Sequence, residues 1–441
     1  MELALKDIHS PDLEKPQVKD LLKALEATVE IAKDIRNTKN FANPSLRKGL
    51  EIVEKFIKSK KRVCYGGMAI NAHLPEEKQF YDFTKNLPDY DFFSPDAEQD
   101  VKDIINILTI EGLPYVESKF SVHEGTTKIY VDFSAVADIT QASPEFYQNI
   151  LKRSYIYKDI HYIDANFLRM SMYLELSRPM GEVERWSKVY SRLLLFNQYV
   201  PFLDRGCRSS PVRSVSLEER NSILEFCISN SLIYCGGDLE NFYKNPKKNT
   251  SWLTKSKNPL IAYSNDILGD IHSLKVILER INKKKLNIYK WSPKDNDLPF
   301  LLGLMHNGKI YALLVEVSAC HSYNTLTYKK HSELKVASLD TLITLFYGLS
   351  FIKGVEGLVS SSFSCIANSI AALSSKTRDM GKNGGLEPIP LTCMGHQPSK
   401  ESLMLAKYLR IQEWKKTRKA VRRNASTKKV VTSSTEVKYS P

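Results

Sequence analysis

The chain has 441 residues, 42% hydrophobic and 26% charged, the balance of an ordinary folded protein with room for two or three domains. No apolar run is long enough to span a bilayer, the charged stretch Met1 to Asp20 is not a secretory signal, and seven scattered Cys without CxxC spacing suggest neither a disulfide framework nor a zinc site. The net charge is +13, of which Ile411 to Pro441, with nine Lys/Arg and two Glu, carries +7; this fits a polyanion partner met by the tail of an otherwise nearly balanced body.

Met1 to Asn43 reads as helical, with apolar periodicity from Val18 to Ile35. A second helix, Pro44 to Ser59, opens on a proline, which a helix start tolerates well. Arg62 to Tyr65 is a short strand running into Gly66-Gly67, and Met68 to His73 starts another helix. Asp89-Tyr-Asp-Phe-Phe93 alternates polar and apolar residues like a half-buried strand. Ser94-Pro95-Asp96 then begins a helix to about Ile110, with acidic residues in its first turn. Lys128 to Phe133 and Ala135 to Ile139 form two strands around a tight turn. Pro144 to Pro201 is mostly helical, and Asp204 to Val215 is a linker or exposed loop.

The remainder repeats this plan. Leu217 to Ile228 is helical, Ser231 to Tyr234 strand-like, and Cys235-Gly236-Gly237 echoes Cys64-Tyr65-Gly66-Gly67. Pro259 to Ser264 leads into a helix, Asp266 to Ile281, as Pro88 to Ser94 does. Lys309-Ile-Tyr311 opens a strand, as Lys128-Ile-Tyr130 does. Three landmarks in one order predict a duplicated fold, with Leu260 and Ala262 standing where the first copy has Asp89 and Asp91. Val336 to Ile352 and Ser364 to Leu373 are apolar helices that can cover the second sheet. Ser399 to Trp414 is a last helix, and Lys415 to Lys429, basic and without an apolar face, is expected to be disordered.

Alternate residues of a strand share a face, so Asp89 and Asp91 project together. Paired carboxylates repel, and a divalent cation removes that penalty. Hard oxygen ligands with spare water positions suit Mg²⁺, and two such ions can activate a hydroxyl and stabilise a leaving pyrophosphate. A third carboxylate comes from a neighbouring strand, with Asp132 and Asp138 as candidates. Asp138 is favoured because Val136, Ala137 and Ile139 would bury its arm, where a lone Asp is costly unless satisfied. Gly66 and Gly67, between a strand and a helix, let a phosphate approach backbone N–H donors. Arg185, Lys188 and Arg192 share a helical face and form either a triphosphate clamp or a solvated basic surface. The nine His lack HxH or HExxH spacing, so a transition-metal site is not expected. The default compartment is a reducing one.

Tyr65-Gly-Gly-Met-Ala-Ile-Asn71, Pro88-Asp-Tyr-Asp-Phe-Phe-Ser-Pro95 and Val136-Ala-Asp-Ile-Thr140 resemble the catalytic subunit of poly(A) polymerases from large DNA viruses of the pox-, asfar- and mimivirus type. Leu168 to Pro179 and Arg185 to Tyr190 look like that family's central region. The resemblance covers roughly residues 50 to 410 and is most specific from Tyr65 to Arg192. It implies an α+β protein with a DNA polymerase β-like nucleotidyltransferase core and a degenerate nucleotidyltransferase-like C-terminal domain. The corresponding division is a helical segment 1–45, a catalytic core 46–143, a helical segment and linker 144–215, a degenerate domain 216–410 and a basic tail 411–441. By motif, Asp89, Asp91 and Asp138 would be the ligands of two Mg²⁺ or Mn²⁺ ions; Gly66, Gly67, Arg185 and Lys188 would bind nucleotide phosphates. The implied substrates are ATP and RNA 3′ ends, the implied partner a second copy or a processivity subunit, and the implied location the host cytoplasm or the virion, with no membrane. The alternatives are another nucleotidyltransferase, such as a uridylyltransferase or oligonucleotide synthase, and a non-catalytic RNA-binding protein on the same fold.

Overall fold

Two mixed sheets organise the chain. In this computed structural model residues 16–83, 87–202, 215–236, 238–244, 253, 259–291, 299–328, 332–352, 362–378 and 387–433 are described. The expected helix before Pro16, the loop from Asp204 to Ser214 and Gly237 lie outside them.

The first unit runs α1 (Pro16–Ala42), α2 (Pro44–Lys60), β1 (Val63–Tyr65), α3 (Gly66–His73), β2 (Tyr90–Ser94), α4 (Ala97–Ile110), β3 (Glu117–Phe120), β4 (Thr126–Val131), β5 (Ser134–Gln141), α5 (Pro144–Arg153), β6 (Tyr155–Tyr157), β7 (Ile160–Tyr162), α6 (Ala165–Leu176) and α7 (Trp186–Tyr199). Asn43 sets the start of α2 by accepting from the Ser45 and Leu46 N–H groups, and Lys61 ends it in the left-handed region. The sheet order is β3-β4-β5-β2-β1-β7-β6. β2 lies parallel to β5 and β1 parallel to β7, while β1 and β2 are antiparallel. α2 and α4 cover one face, where Val53, Ile57, Ile104 and Leu108 bury against Phe92, Ile129 and Ile139. Each fully buried aliphatic side chain contributes about 1.5–3 kcal/mol of transfer free energy, which pins this face. The β6–β7 hairpin interrupts a segment expected to be mostly helical.

The second unit runs α8 (Leu217–Ser229), β8 (Ile233–Tyr234), α9 (Leu239–Lys244), β9 (Leu260–Ser264), α10 (Ile267–Asn282), β10 (Asn287–Trp291), β11 (Leu301–His306), β12 (Lys309–Glu316), β13 (His321–Tyr328), β14 (Ser332–Ala337), α11 (Leu339–Leu349), α12 (Phe363–Arg378), β15 (Cys393–Met394) and α13 (Lys400–Ser433). Its sheet order, β10-β11-β12-β9-β8-β14-β13-β15, repeats the first strand for strand and adds β15 at the edge. The parallel pairs recur as β9–β12 and β8–β14. The fold is therefore duplicated.

Two details of the expected correspondence change. Ser94 and Ser264 each accept from the N–H two residues on, and Asp96 and Asp266 then cap the following helix. Aligning those motifs puts Pro259 and Ile261, rather than Leu260 and Ala262, at the places of Asp89 and Asp91. Lys309 opens β12, the counterpart of β5, whereas Lys128 lies in β4, whose counterpart is β11. That landmark matched non-equivalent strands. Val336 and Ala337, expected in a helix, end β14.

Two further expectations are corrected. Cys320 and Cys393 form a disulfide across 73 residues, a pairing that short-range spacing rules do not see. Lys415 to Lys429, expected to be disordered, continues α13 as helix to Ser433; Lys, Arg and Ala are good helix formers whether or not they present an apolar face. The start of α13 docks on the first unit, with Arg410 donating to the Val122 carbonyl at 3.2 Å and Trp414 set edge-on to Phe120. The units also meet where α6 packs on α11.

Candidate active site

β2 and β5 pair in parallel with Asp91 opposite Asp138, and β1 pairs with β2 with Tyr65 opposite Asp91. Side chains opposite one another share a face, so Asp91 and Asp138 stand side by side. Asp89, the residue before β2, lies on the same face at the exposed entry to the strand. Asp132 is elsewhere: it sits in the two-residue turn between β4 and β5 with φ 49° and accepts from Asn43 Nδ2 at 2.7 Å. Gly66, with φ +69°, brings α3 against this face so closely that a Cβ there would lie 2.4 Å from Asp91 Oδ2. A Cβ on Gly67 would lie 2.5 Å from the Tyr81 hydroxyl and 3.3 Å from the Arg192 guanidinium. The floor of the cleft is aromatic: Phe93 lies 4.4 Å from Tyr65 and meets Phe146 and Phe167 edge-on.

The carboxylates are electrostatically crowded. Withdrawal from water, then Asp89 and Asp138, push Asp91 up to about 8, against Lys128 and Arg185. Asp89 is raised by withdrawal from water and by Asp138, although its residue is exposed overall; Lys128 and Lys188 oppose the shift. Lys188 is lowered by Arg192, then by burial and Arg185, so these three cations do face one another. Arg185, in the turn before α7, is shared with Glu182 at 3.1 Å and Glu175 at 3.3 Å. Arg192 lies 4.5 Å over the Phe80 ring and donates to the Tyr81 hydroxyl at 3.3 Å.

Lys128, one strand beyond Asp138, was not among the expected site residues, yet its ammonium contacts Asp138 Oδ2. Hairpin arithmetic from the turn places Thr127 opposite Asp138; a bulge between Ile129 and Tyr130 moves Lys128 there instead. Among the described residues no three His, Cys, Asp or Glu side chains are gathered tightly enough to enclose a metal ion as they stand. The donor set nonetheless fits a hard divalent cation. Asp138 Oδ1 is buried with no hydrogen-bond partner among the described residues, and Asp91 stands among like charges.

The equivalent positions of the second unit are buried and apolar. Ile261 and Leu313 are opposite one another where Asp91 and Asp138 pair in the first. At the glycine turn, Arg220 and Tyr234 both donate to Asp238, at 3.2 Å and 2.6 Å. Separately, a cavity of about 300 Å³ lies on the opposite face of the first sheet, lined by Leu50, Glu54, Met68, Tyr90 and Tyr162. The carboxylates do not line it.

The first unit thus carries a parallel β2–β5 pair with facing carboxylates and a glycine turn and helix beside it. Residues 51–182 match the family model described as "Poly(A) polymerase catalytic subunit". Over 159 residues the chain is 29% identical to a protein of Acanthamoeba polyphaga mimivirus named as a poly(A) polymerase catalytic subunit, covering 35% of this chain and 27% of that protein. Over 158 residues it is 28% identical to the protein of that name from an African swine fever virus isolate, covering 34% of this chain and 33% of that protein. The matched stretch thus spans about a third or less of those relatives' length. The fold resembles the Megavirus polyadenylate synthase with TM-score 0.71 at 18% identity, over 95% of this chain and 86% of that one. The expected resemblance and the two-unit fold are borne out.

Proposed function

We propose that the chain is a template-independent polynucleotide adenylyltransferase that extends RNA 3′ ends with AMP from ATP. The observation that carries this is the pairing of Asp91 with Asp138 beside Gly66, in the segment that matches the poly(A) polymerase catalytic subunits. Asp89, Asp91 and Asp138 are the groups that would hold two Mg²⁺ or Mn²⁺ ions. When bound there, such ions lower the pKa of an attacking hydroxyl and neutralise charge on the triphosphate and leaving pyrophosphate. Gly66 and Gly67, at the start of α3, would present backbone N–H groups to phosphate oxygens. Lys188, Arg192 and Arg185 add positive charge opposite the carboxylates, suited to the triphosphate, with Arg185 attenuated by its two glutamates.

In this reading residues 46–143 form the catalytic core, 144–215 its helical flank, and 216–410 a closed copy that serves as scaffold. The basic residues of 411–441 would tether RNA. The similarity to proteins named as catalytic subunits favours a further chain, a second copy or a processivity subunit, in the working assembly. Among the described residues no helix is long and apolar enough to cross a membrane, and we place the enzyme in the host cytoplasm or virion. A disulfide such as Cys320–Cys393 persists more readily in the latter.

The test is primer extension of a labelled RNA with each NTP separately and Mg²⁺ or Mn²⁺. A ladder with ATP alone is expected, and is abolished in a folded double variant carrying Asp89→Ala and Asp91→Ala. A ladder with a different NTP would retain the chemistry and change the substrate. Extension retained in the folded double variant would overturn the assignment.

A further inference from the structure

Lys128 stands among the carboxylates of the first sheet. It lies in register with Asp138, which lies in register with Asp91, so one row across three strands reads Lys128, Asp138, Asp91 on a single face. Its ammonium contacts Asp138 Oδ2, while Asp138 Oδ1 has no partner among the described residues. The Asp138 side chain is 14% exposed and that of Lys128 is 35% exposed, so the cation lies nearer to solvent than the carboxylate it contacts. Three carboxylates share this face, and among the described residues Lys128 is the cation in direct contact with one of them.

The duplicated sheet supplies an internal comparison. Its β11–β12 hairpin repeats the same bulge, between Leu304 and Met305, and a two-residue turn with both φ positive at Asn307 and Gly308. In that frame Gly303 is opposite Leu313, as Lys128 is opposite Asp138. Where the carboxylates have become Ile261 and Leu313, the lysine has gone too. The bulge and turn are common to both hairpins, whereas the lysine stands only in the hairpin that carries the carboxylate, so its place goes with Asp138 rather than with the hairpin. Gly303 instead packs so tightly on the Trp291 ring that a Cβ would come within 2.4 Å.

We infer that Lys128 is a resident counter-ion, which occupies Asp138 in the metal-free protein and is exchanged for a divalent cation when the site loads. This rests on the metal-binding reading of the carboxylates proposed above. The ammonium holds an otherwise repulsive set together, competes for the lone pairs the metal requires, and moves into solvent as the ion enters. No bond is made or broken; one monovalent charge leaves the carboxylate and a divalent one arrives. Lys128 is a positioning residue in this account, because it acts through Asp138.

The experiment uses the full chain, with Mn²⁺ as probe. Mn²⁺ binding is followed by electron paramagnetic resonance, and in the same titration the reductive methylation rate of Lys128 is read by peptide mass spectrometry. Methylation of Lys128 is expected to rise several-fold along the Mn²⁺ binding curve. Asp138→Asn should give that faster rate without Mn²⁺. Lys128→Met should bind Mn²⁺ up to about fivefold more tightly, the worth of a partly exposed ion pair. Mn²⁺ binding with an unchanged Lys128 rate would overturn the exchange while leaving the metal site standing. Absence of Mn²⁺ binding in both the unaltered chain and Lys128→Met would overturn the metal reading itself, and the exchange with it.

Discussion

Replacing Gly66 by Ala tests the closest contact in the site. A Cβ at this position would lie 2.4 Å from Asp91 Oδ2, against a floor of 3.0 Å for real Cβ contacts, so the carboxylate must retreat by at least 3.0 − 2.4 = 0.6 Å. The backbone there has φ +69°, and the left-handed region costs a non-glycine residue about 1–2 kcal/mol. At about 2–4 °C per kcal/mol for a unit of this size, the melting temperature should fall by roughly 2–8 °C. A misplacement of about 1 Å at a reacting group can cost about a hundredfold in rate, so a shift of over half that size should cost on the order of tenfold. Single-nucleotide incorporation on a labelled RNA, with kcat and KM separated, reads the second effect; a thermal melt reads the first. Gly236→Ala is the control. Its Cβ would meet the Tyr234 hydroxyl at 2.1 Å, so it should lower stability while leaving the chemical step of the folded protein alone. If Gly66→Ala slowed incorporation no more than Gly236→Ala at matched stability, Asp91 would not be the group Gly66 positions.

Three other outcomes follow from the geometry. Asp91 is held up to about 8 in the folded protein against an ordinary 3.8, so the folded state keeps a proton the unfolded state has lost. In EDTA, stability should therefore fall as pH rises from about 4 toward 8, and Asp91→Asn should flatten that slope in denaturant melts; an unchanged slope would place the titration elsewhere. Arg192→Ala removes a cation beside Gly67 and should raise KM for ATP roughly tenfold or more with kcat less affected, whereas a purely structural role would lower the melting temperature without moving KM. Cys393→Ser opens a cross-link spanning 73 residues and should cost the second unit about 2–4 kcal/mol while incorporation at low temperature persists; loss of activity without loss of stability would contradict that separation.

Much of the site was legible because its signals are local. The alternation of Asp89-Tyr90-Asp91 reports a face, and Val136, Ala137 and Ile139 report the burial of the arm that carries Asp138. The glycine turn and the recurrence of the plan were equally visible. What escaped depends on register. Lys128 meets Asp138 only because of a bulge, and sequence pattern does not announce bulges. The misassigned repeat arose similarly: Lys-Ile-Tyr occurs in β4 and in β12, and only the strand order shows these to be non-equivalent. A one-residue slip sends every side chain to the other face, which is why aligning Leu260 and Ala262 with the aspartates put residues of the opposite face at the site. The Cys320–Cys393 pair joins distant segments and leaves no local trace.

The second unit also reaches the surroundings of the carboxylates, through α6. Every residue of α11, Leu339–Leu349, is buried, and α11 packs on α6. The C-terminal end of α6 is tied down again where Ser322 donates from its backbone to the Ser177 carbonyl. α6 carries Glu175, which holds Arg185, and accepts from the Trp186 indole at the Glu175 carbonyl, 3.0 Å away. Trp186 begins α7, the helix of Lys188 and Arg192. α11 thus packs on α6, α6 packs on α7 and accepts from its first residue, and α7 carries Lys188, whose charge reaches Asp89. In the second copy Ile261 and Leu313 stand where the first has Asp91 and Asp138, and β9 is buried along its whole length. One copy sets carboxylates opposite one another at Asp91 and Asp138, and the other sets buried apolar side chains, Ile261 and Leu313, at the same places.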